Sequence, residues 1–333
     1  MSFEEGKVNL AVFSLEENPY KPKELLEKLS KRAVASSDLT LECQGWASGK
    51  VLLDSRIDEE SCMNEMYPIL NWRKQYIKVD PYIKKEMVRQ MIAVHRQQNR
   101  IWDISKAERE KIKEQVNDEL RRKTEPTVRG MQVVIQGKYV FFGTANVRDV
   151  TMGPARALRD AGLTLVLPTH YSSADGDMFM AGRRFLTWLV YHSNHDGVFV
   201  SASGPVEVVA NDDKKDVISQ CESATLRGRL VMLSPELNHA ITTGSKLIRK
   251  AHLTMSFDAE ESEVSAANIK CEFTFDADRW TFGGLTLPRE CETFTERIVA
   301  IEQFYEAFEQ LFKEWKREEQ HAAGMDFLPG LEE

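Results

Sequence analysis

No Cys-x-x-Cys pair occurs in this chain, and its five cysteines (Cys43, Cys62, Cys221, Cys271 and Cys291) lie far apart. That argues against a zinc knuckle and against a disulfide framework. A GxxxxGK[ST] phosphate loop is missing, as are GxGxxG, HExxH and GxSxG. The signatures of P-loop ATPases, dinucleotide binders, zinc proteases and α/β-hydrolases are therefore absent. No apolar run approaches the roughly 20 residues of a membrane span. The start, MSFEEGK, lacks the basic and apolar regions of a signal peptide. A cytoplasmic protein with no membrane partner is expected.

Candidate metal ligands are few. His192, His195 and Asp196 form the one His/Asp cluster, and Glu260, Glu261 and Glu263 are candidate metal carboxylates. The first reads as a solvated turn and the second as an exposed loop, because neither brings further ligands at useful spacing. Asp276 and Asp278 read as turn residues. The expectation is a protein without catalysis, metal or cofactor.

What the chain does have is a local reversal of charge. Its 333 residues carry a formal net charge of −8. Residues 72–130 nevertheless hold sixteen Lys and Arg against nine Asp and Glu, a balance of +7. Residues 257–333 hold seven against nineteen, a balance of −12. A concentrated positive stretch on an acidic protein can be presented to a polyanion.

The hydrophobic pattern predicts an α+β fold with mixed or antiparallel sheets, a protruding basic helical hairpin and a long C-terminal amphipathic helix. Strands are expected at Val8–Leu15, Val51–Leu53 and Tyr67–Val79, with a helix from Pro22 to about Arg32. Asp80-Pro81 and Ser105 with Glu108 are helix starts. They open two helices with narrow apolar stripes and wide charged faces, an arm resting on one surface. A hairpin turning at Gly137-Lys138, a helix from Pro154 to Ala161 and a strand at Leu163–Leu167 follow. Tyr171–Gly182 reads as a linker and Phe185–Tyr191 as a helix. Strands are then expected at Gly197–Ala210, Leu226–Leu233, Lys246–Ser256, Asn268–Phe275 and Trp280–Leu287, a helix over Thr293–Glu319, and a frayed tail from Gly324. The expected divisions are an N-terminal α+β part (1–80), the basic hairpin (81–126), a ββαβ part completing the first domain (127–170), a β-rich second domain (183–290) and a C-terminal helix with tail (291–333).

Ten basic residues are candidates for phosphate contact. Lys84, Lys85 and Arg89 lie on the first arm helix. Arg183, Arg184, Arg227, Arg229, Lys246, Arg249 and Lys250 lie outside the arm. The period of two places Lys246, Lys250 and His252 on one strand face and Arg249 on the other. Phosphate contact requires positioned cations and no motif. Trp72, Tyr76, Tyr82 and Trp102 interleave with the arm's charge, and packing is their expected use ahead of base stacking.

The order of these pieces resembles the bacterial recombination-associated RdgC family. The likeness is spread over most of the chain and rests on no single sharp motif. Gly45-Trp46 is similar to a Gly-Trp of that family, and RKQYIKVDPYIKKEM (Arg73–Met87) to its basic run into a helix. Lys106, Glu108 and Lys113 resemble its lysine-rich segment. MQVVIQGKYVFFGTAN resembles its paired strands, LTLVLPT the strand that follows, and Phe185-Leu-Thr-Trp188-Leu its helix. Gly244 to Leu253 resembles its Gly-Lys strand with one residue inserted. The chain departs at Val79-Asp80-Pro81, at Arg122–Val128 (which lacks the family's Phe), and at Met255, where a Trp is usual.

The resemblance implies a homodimer forming a ring or horseshoe around double-stranded DNA. It also implies sequence-independent binding without catalysis, a nucleoid location, and antagonism of a RecA-type recombinase. A protein-interaction scaffold that self-associates through basic and acidic segments, indifferent to DNA, is the competing expectation. A nuclease built on scattered carboxylates is a third.

Overall fold

A computed structural model of the chain describes residues 3–15, 20–34, 42–64, 67–166, 178–191, 194–195, 197–210, 223–228, 234–242, 246–258, 268–289 and 291–325. The fold is mixed α+β with a large antiparallel sheet. The chain forms two compact units. One comprises Met1–Lys21, Asn64–Ile69 and Met131–Glu333, the other Pro22–Met63 and Leu70–Gly130.

From the start, β1 (Val8–Leu15) precedes α1 (Pro22–Ser30), whose Leu25, Leu26 and Leu29 are buried. β2 (Cys43–Ser48), α2 (Glu59–Cys62), β3 (Met63–Asn64) and β4 (Tyr67–Tyr76) follow. α3 (Pro81–Asn99) starts where the Asp80 carboxylate accepts the N–H groups of Tyr82 and Ile83, and ends at Arg100 in the left-handed region at φ 52°. α4 (Lys106–Lys123) opens with a reciprocal capping box between Ser105 and Glu108. β5 (Thr127–Gln136) and β6 (Tyr139–Phe142) form a hairpin whose turn needs the positive φ of Gly137, 54°. α5 (Val147–Met152), α6 (Pro154–Asp160) and β7 (Leu165–Val166) come next. Then follow α7 (Met178–Tyr191), β8 (Asn194–His195), β9 (Val198–Ala210), β10 (Ser223–Leu226) and α8 (Pro235–Thr242). β11 (Lys246–Asp258), β12 (Asn268–Asp276), β13 (Thr281–Thr286) and α9 (Phe294–Met325) complete the chain.

Some expected elements differ. Residues 51–53 form a turn and no strand, closed by the Asp54 N–H on the Val51 carbonyl at 3.0 Å, with both Val51 and Leu53 exposed. Three apolar residues without a strand partner leave their backbone unpaired, and a turn satisfies it locally. The linker expected up to Gly182 is helical from Met178, and residues 171–177 lie outside those described. Gly182 is needed there for packing, because a Cβ would sit 2.5 Å from the Ala277 carbonyl oxygen. β10 stops at Leu226, before the arginines, and residues 229–233 are outside those described. α9 continues to Met325, past the expected end at Glu319.

In the first unit the strands run β10-β9-β11-β12-β13-β1-β6-β5. α9 buries Ile298, Ile301, Phe304, Tyr305, Phe308, Leu311, Phe312 and Trp315 in the core that also holds Phe185 of α7 and Phe273, Phe275 and Phe282 of the sheet. Rings meet edge to face, Phe275 to Phe308 at 4.9 Å and Phe185 to Phe312 at 5.0 Å. Each such buried aromatic removes enough apolar surface to contribute about 2–3 kcal/mol. Trp280, 1% exposed, occupies the β12–β13 turn at φ 51°, a conformation costly for a bulky residue that its burial against Phe312 offsets.

In the second unit β2 and β4 pair antiparallel with Trp46 opposite Trp72, ring centroids 5.0 Å apart. Gly45 is required beside them, since a Cβ would lie 2.7 Å from the Arg32 carbonyl. α3 and α4 pack through a narrow seam of Ile104, Ile112, Val116 and Leu120 against Met87, Val88, Met91 and Ile92.

Candidate nucleic-acid interface

β11 does not keep a simple alternation. Ile248 faces Val208 of β9, but Lys250 faces Glu207, so Arg249 is an extra residue in the ladder. This β-bulge reverses the facing of everything beyond it. Ile248 is buried before the bulge; Ala251, Leu253, Met255 and Phe257 are buried after it. Lys246 therefore shares a face with Ile248, while Lys250 and His252 stand on the other face. The single basic face expected for Lys246, Lys250 and His252 does not form, because the bulge falls between them.

Arg249 and Arg183 converge on one carboxylate. Arg183 donates Nε and Nη2 to the two oxygens of Asp278 at 2.7 and 3.0 Å. Arg249 lies 3.2 Å from Glu207 through Nη1 and 3.2 Å from Asp278 through Nε, the latter outside hydrogen-bonding geometry. These side chains are one-third exposed or less. The arrangement ties α7, β9, β11 and the β12–β13 turn together, and it occupies both guanidinium groups. Arg184 pairs with Glu319 of α9 at 3.5 Å. Arg227 is exposed just beyond β10, and Arg229 is outside the described residues.

A second irregularity, where β9 carries Ser203, Gly204 and Pro205 opposite His252, opens the outer face of the sheet. Gly204 passes so close to His252 that a Cβ would stand 2.9 Å from the ring. The resulting shallow cavity of about 320 Å³ is lined by Pro205, Glu207, Thr225, Lys250, His252 and Thr274. His252 Nδ1 is 3.1 Å from the Thr274 hydroxyl. Lys250 is its exposed cation.

In the second unit much of the positive stretch is neutralised internally. Arg73 is 2% exposed; it donates to Gln75 at 2.6 Å and approaches the Leu53 carbonyl at 3.5 Å, so it adds nothing to the surface. Lys84 donates to Asn117 at 2.7 Å, bridging α3 to α4. Arg89 stands 3.8 Å from Glu86, Arg96 3.7 Å from Asp103, Lys113 2.7 Å from Glu110, Lys123 2.5 Å from Glu119 and Arg121 2.6 Å from Glu42. Lys85, Arg100, Lys106, Arg109, Lys111 and Arg122 are exposed, and no ion pair joins them to any described residue.

The aromatics of this stretch divide. Trp72 is buried, and Tyr76 lies under Arg129, 5.6 Å from guanidinium carbon to ring centroid. Tyr82 is 78% exposed and Trp102 97% exposed, which overturns the packing expected of these two. Ile101 and Ile104 take the seam positions beside Trp102, whereas Tyr82 lies in the first turn of α3 next to Ile83, which is exposed as well. Sequence reasoning missed Trp102 as a surface residue; the flanking Ile101 and Ile104 were the available signal.

Among the described residues no group of three or more His, Cys, Asp or Glu could hold a metal ion. Side chains of His192, His195 and Asp196, and all of Glu260, Glu261 and Glu263, lie outside that set. Burial pushes the Cys271 thiol up to about 12 and raises that of Cys62, so neither is an activated nucleophile. No helix among the described residues is long and apolar enough to cross a membrane. Compared with known proteins, the chain matches no family model and no curated protein.

Proposed function

We propose that this chain is a sequence-independent, non-enzymatic binder of double-stranded DNA of the RdgC type, acting as a ring- or horseshoe-shaped homodimer that restrains RecA-dependent recombination. The observation that carries the DNA reading is the set of exposed, unpaired cations on and around α3 and α4: Lys85, Arg100, Lys106, Arg109, Lys111 and Arg122. None of these forms an ion pair with a described residue, although Lys106 and Arg109 act on Glu110 and Lys111 on Glu108 at longer range, so phosphate displaces mainly water and counterions, whereas Arg183 and Arg249 would first have to leave Asp278. Arg89 is exposed too but stands 3.8 Å from Glu86, and Lys250 is an exposed cation of the first unit. The recombination role and the dimeric ring rest on the resemblance described above.

The test is a duplex titration at several salt concentrations, with mass measured in solution. Binding indifferent to sequence that weakens steeply with salt supports the reading. No duplex binding at low salt, or a flat salt response, overturns it. Salt-sensitive self-association that ignores DNA would put the scaffold reading in its place.

A further inference from the structure

Trp102 stands out among the six tryptophans of the chain. Trp46, Trp72, Trp280 and Trp315 are buried and Trp188 half-buried, whereas Trp102 is 97% exposed. Its exposure is built into the connection between α3 and α4. Arg100 turns the chain in the left-handed conformation, and both its N–H and that of Ile101 reach the Arg96 carbonyl. Ile101 packs into the α3–α4 seam, and Ile104, 6% exposed, is a member of it. Asp103 accepts the N–H of Ile104 at 2.8 Å and lies 3.7 Å from Arg96. The Ser105–Glu108 capping box then fixes the first turn of α4. With an anchored isoleucine on each side, Trp102 is held outward and cannot fold back onto its own helices.

Cations stand on both sides of it. Arg100 and Lys106 flank the connection, both exposed and without an ion pair to any described residue. Of the nearby carboxylates, Asp103 is 3.7 Å from Arg96, Glu108 is held by its capping box, and Glu110 pairs with Lys113 at 2.7 Å while also feeling Lys106 at longer range. An exposed indole face beside exposed cations matches a nucleobase with its phosphates, a pairing that tolerates any sequence because every base has a π-face.

We infer that Trp102 is a stacking platform for an unpaired nucleobase, so that the protein favours DNA with a single-stranded segment over continuous duplex. This rests on the DNA reading above and adds a base contact to it. The test compares wild type, Trp102→Ala and Trp102→Phe on a covalently closed duplex circle and on a linear duplex of the same sequence with a single-stranded tail. Wild type should prefer the tailed DNA by roughly tenfold, the effect of one stacked base. Trp102→Ala should lose that preference while keeping its affinity for the closed circle, and Trp102→Phe should recover most of it. Tailed DNA should also quench the solvent-exposed part of the tryptophan emission. If Trp102→Ala binds both DNAs as wild type does, the inference is overturned and the DNA reading stands. If Trp102→Ala instead changes the mass in solution with both affinities unchanged, Trp102 docks protein and the inference is again overturned. If wild type binds neither DNA, the underlying reading fails and the inference falls with it.

Discussion

Asp278 holds two arginines at once. Its two oxygens take the fork of Arg183, and Arg249 closes on it from the bulge in β11. Removing the carboxylate would leave two poorly solvated cations facing each other. Asp278→Asn should lower stability by roughly 2–4 kcal/mol, read from the urea midpoint, which is large for a turn residue. An unchanged midpoint would show that the pairs contribute nothing. Glu302 on α9 presents the opposite case. It accepts a hydrogen bond from Gln136, yet burial, aided by the nearby Glu306, raises its pKa. A carboxyl that ionises less readily when folded binds more protons in the folded state, so stability falls as pH rises through its range. Glu302→Gln removes that cost and keeps an acceptor for Gln136. The variant should melt above wild type at pH 7, and the advantage should fade below about pH 4, where the carboxyl is protonated in both states. A constant difference across pH would contradict this.

At the scale of elements, the bulge at Arg249 decides what β11 presents. Without it, Lys250 would be driven to the side of the sheet where Ile248 is buried among α7 and the core. Inserting one alanine between Lys250 and Ala251 would turn Ala251, Leu253, Met255 and Phe257 away from the core, and it should destabilise the first unit, seen as faster amide exchange along β9 and β11. Exchange as slow as in wild type would mean the ladder re-registers at no cost. The ends of α3 and α4 were legible beforehand, because Asp80, Ser105 and Glu108 act within three residues of themselves. The aromatic stripe of α9 and the strands β9, β11, β12 and β13 were legible through their periods, whereas β10 was expected a few residues too late. The bulge was not, because it depends on which residue of β9 stands opposite, and periodicity along one strand carries no information about its partner.

For the molecule as a whole, charge is segregated along a chain whose net value is −8. A positive stretch on an acidic protein binds phosphate through its local field, and the strength of that binding is set by the cations that remain unpaired. If six phosphates are neutralised, log K should fall by about 5 per decade of salt, which is roughly a thousandfold loss between 50 and 200 mM. A slope near zero would show that the surviving charge does not meet phosphate. The sixteen cations of the basic stretch are a property of composition, and the ion pairs formed in the fold lower what that stretch can contribute to the slope.

The sequence by itself determined the α+β class, the helix starts, the hairpin at Gly137 and the location of the positive stretch. These follow from caps, turn residues and hydrophobic period, all of which act over a few neighbouring residues. Only the tertiary structure decided that Arg73 is buried, that Arg183 and Arg249 are held by Asp278, and that Trp102 stands in water. The physical reason is distance along the chain. Arg183 meets its carboxylate 95 residues away, and an ion pair through space leaves no periodic mark on either segment.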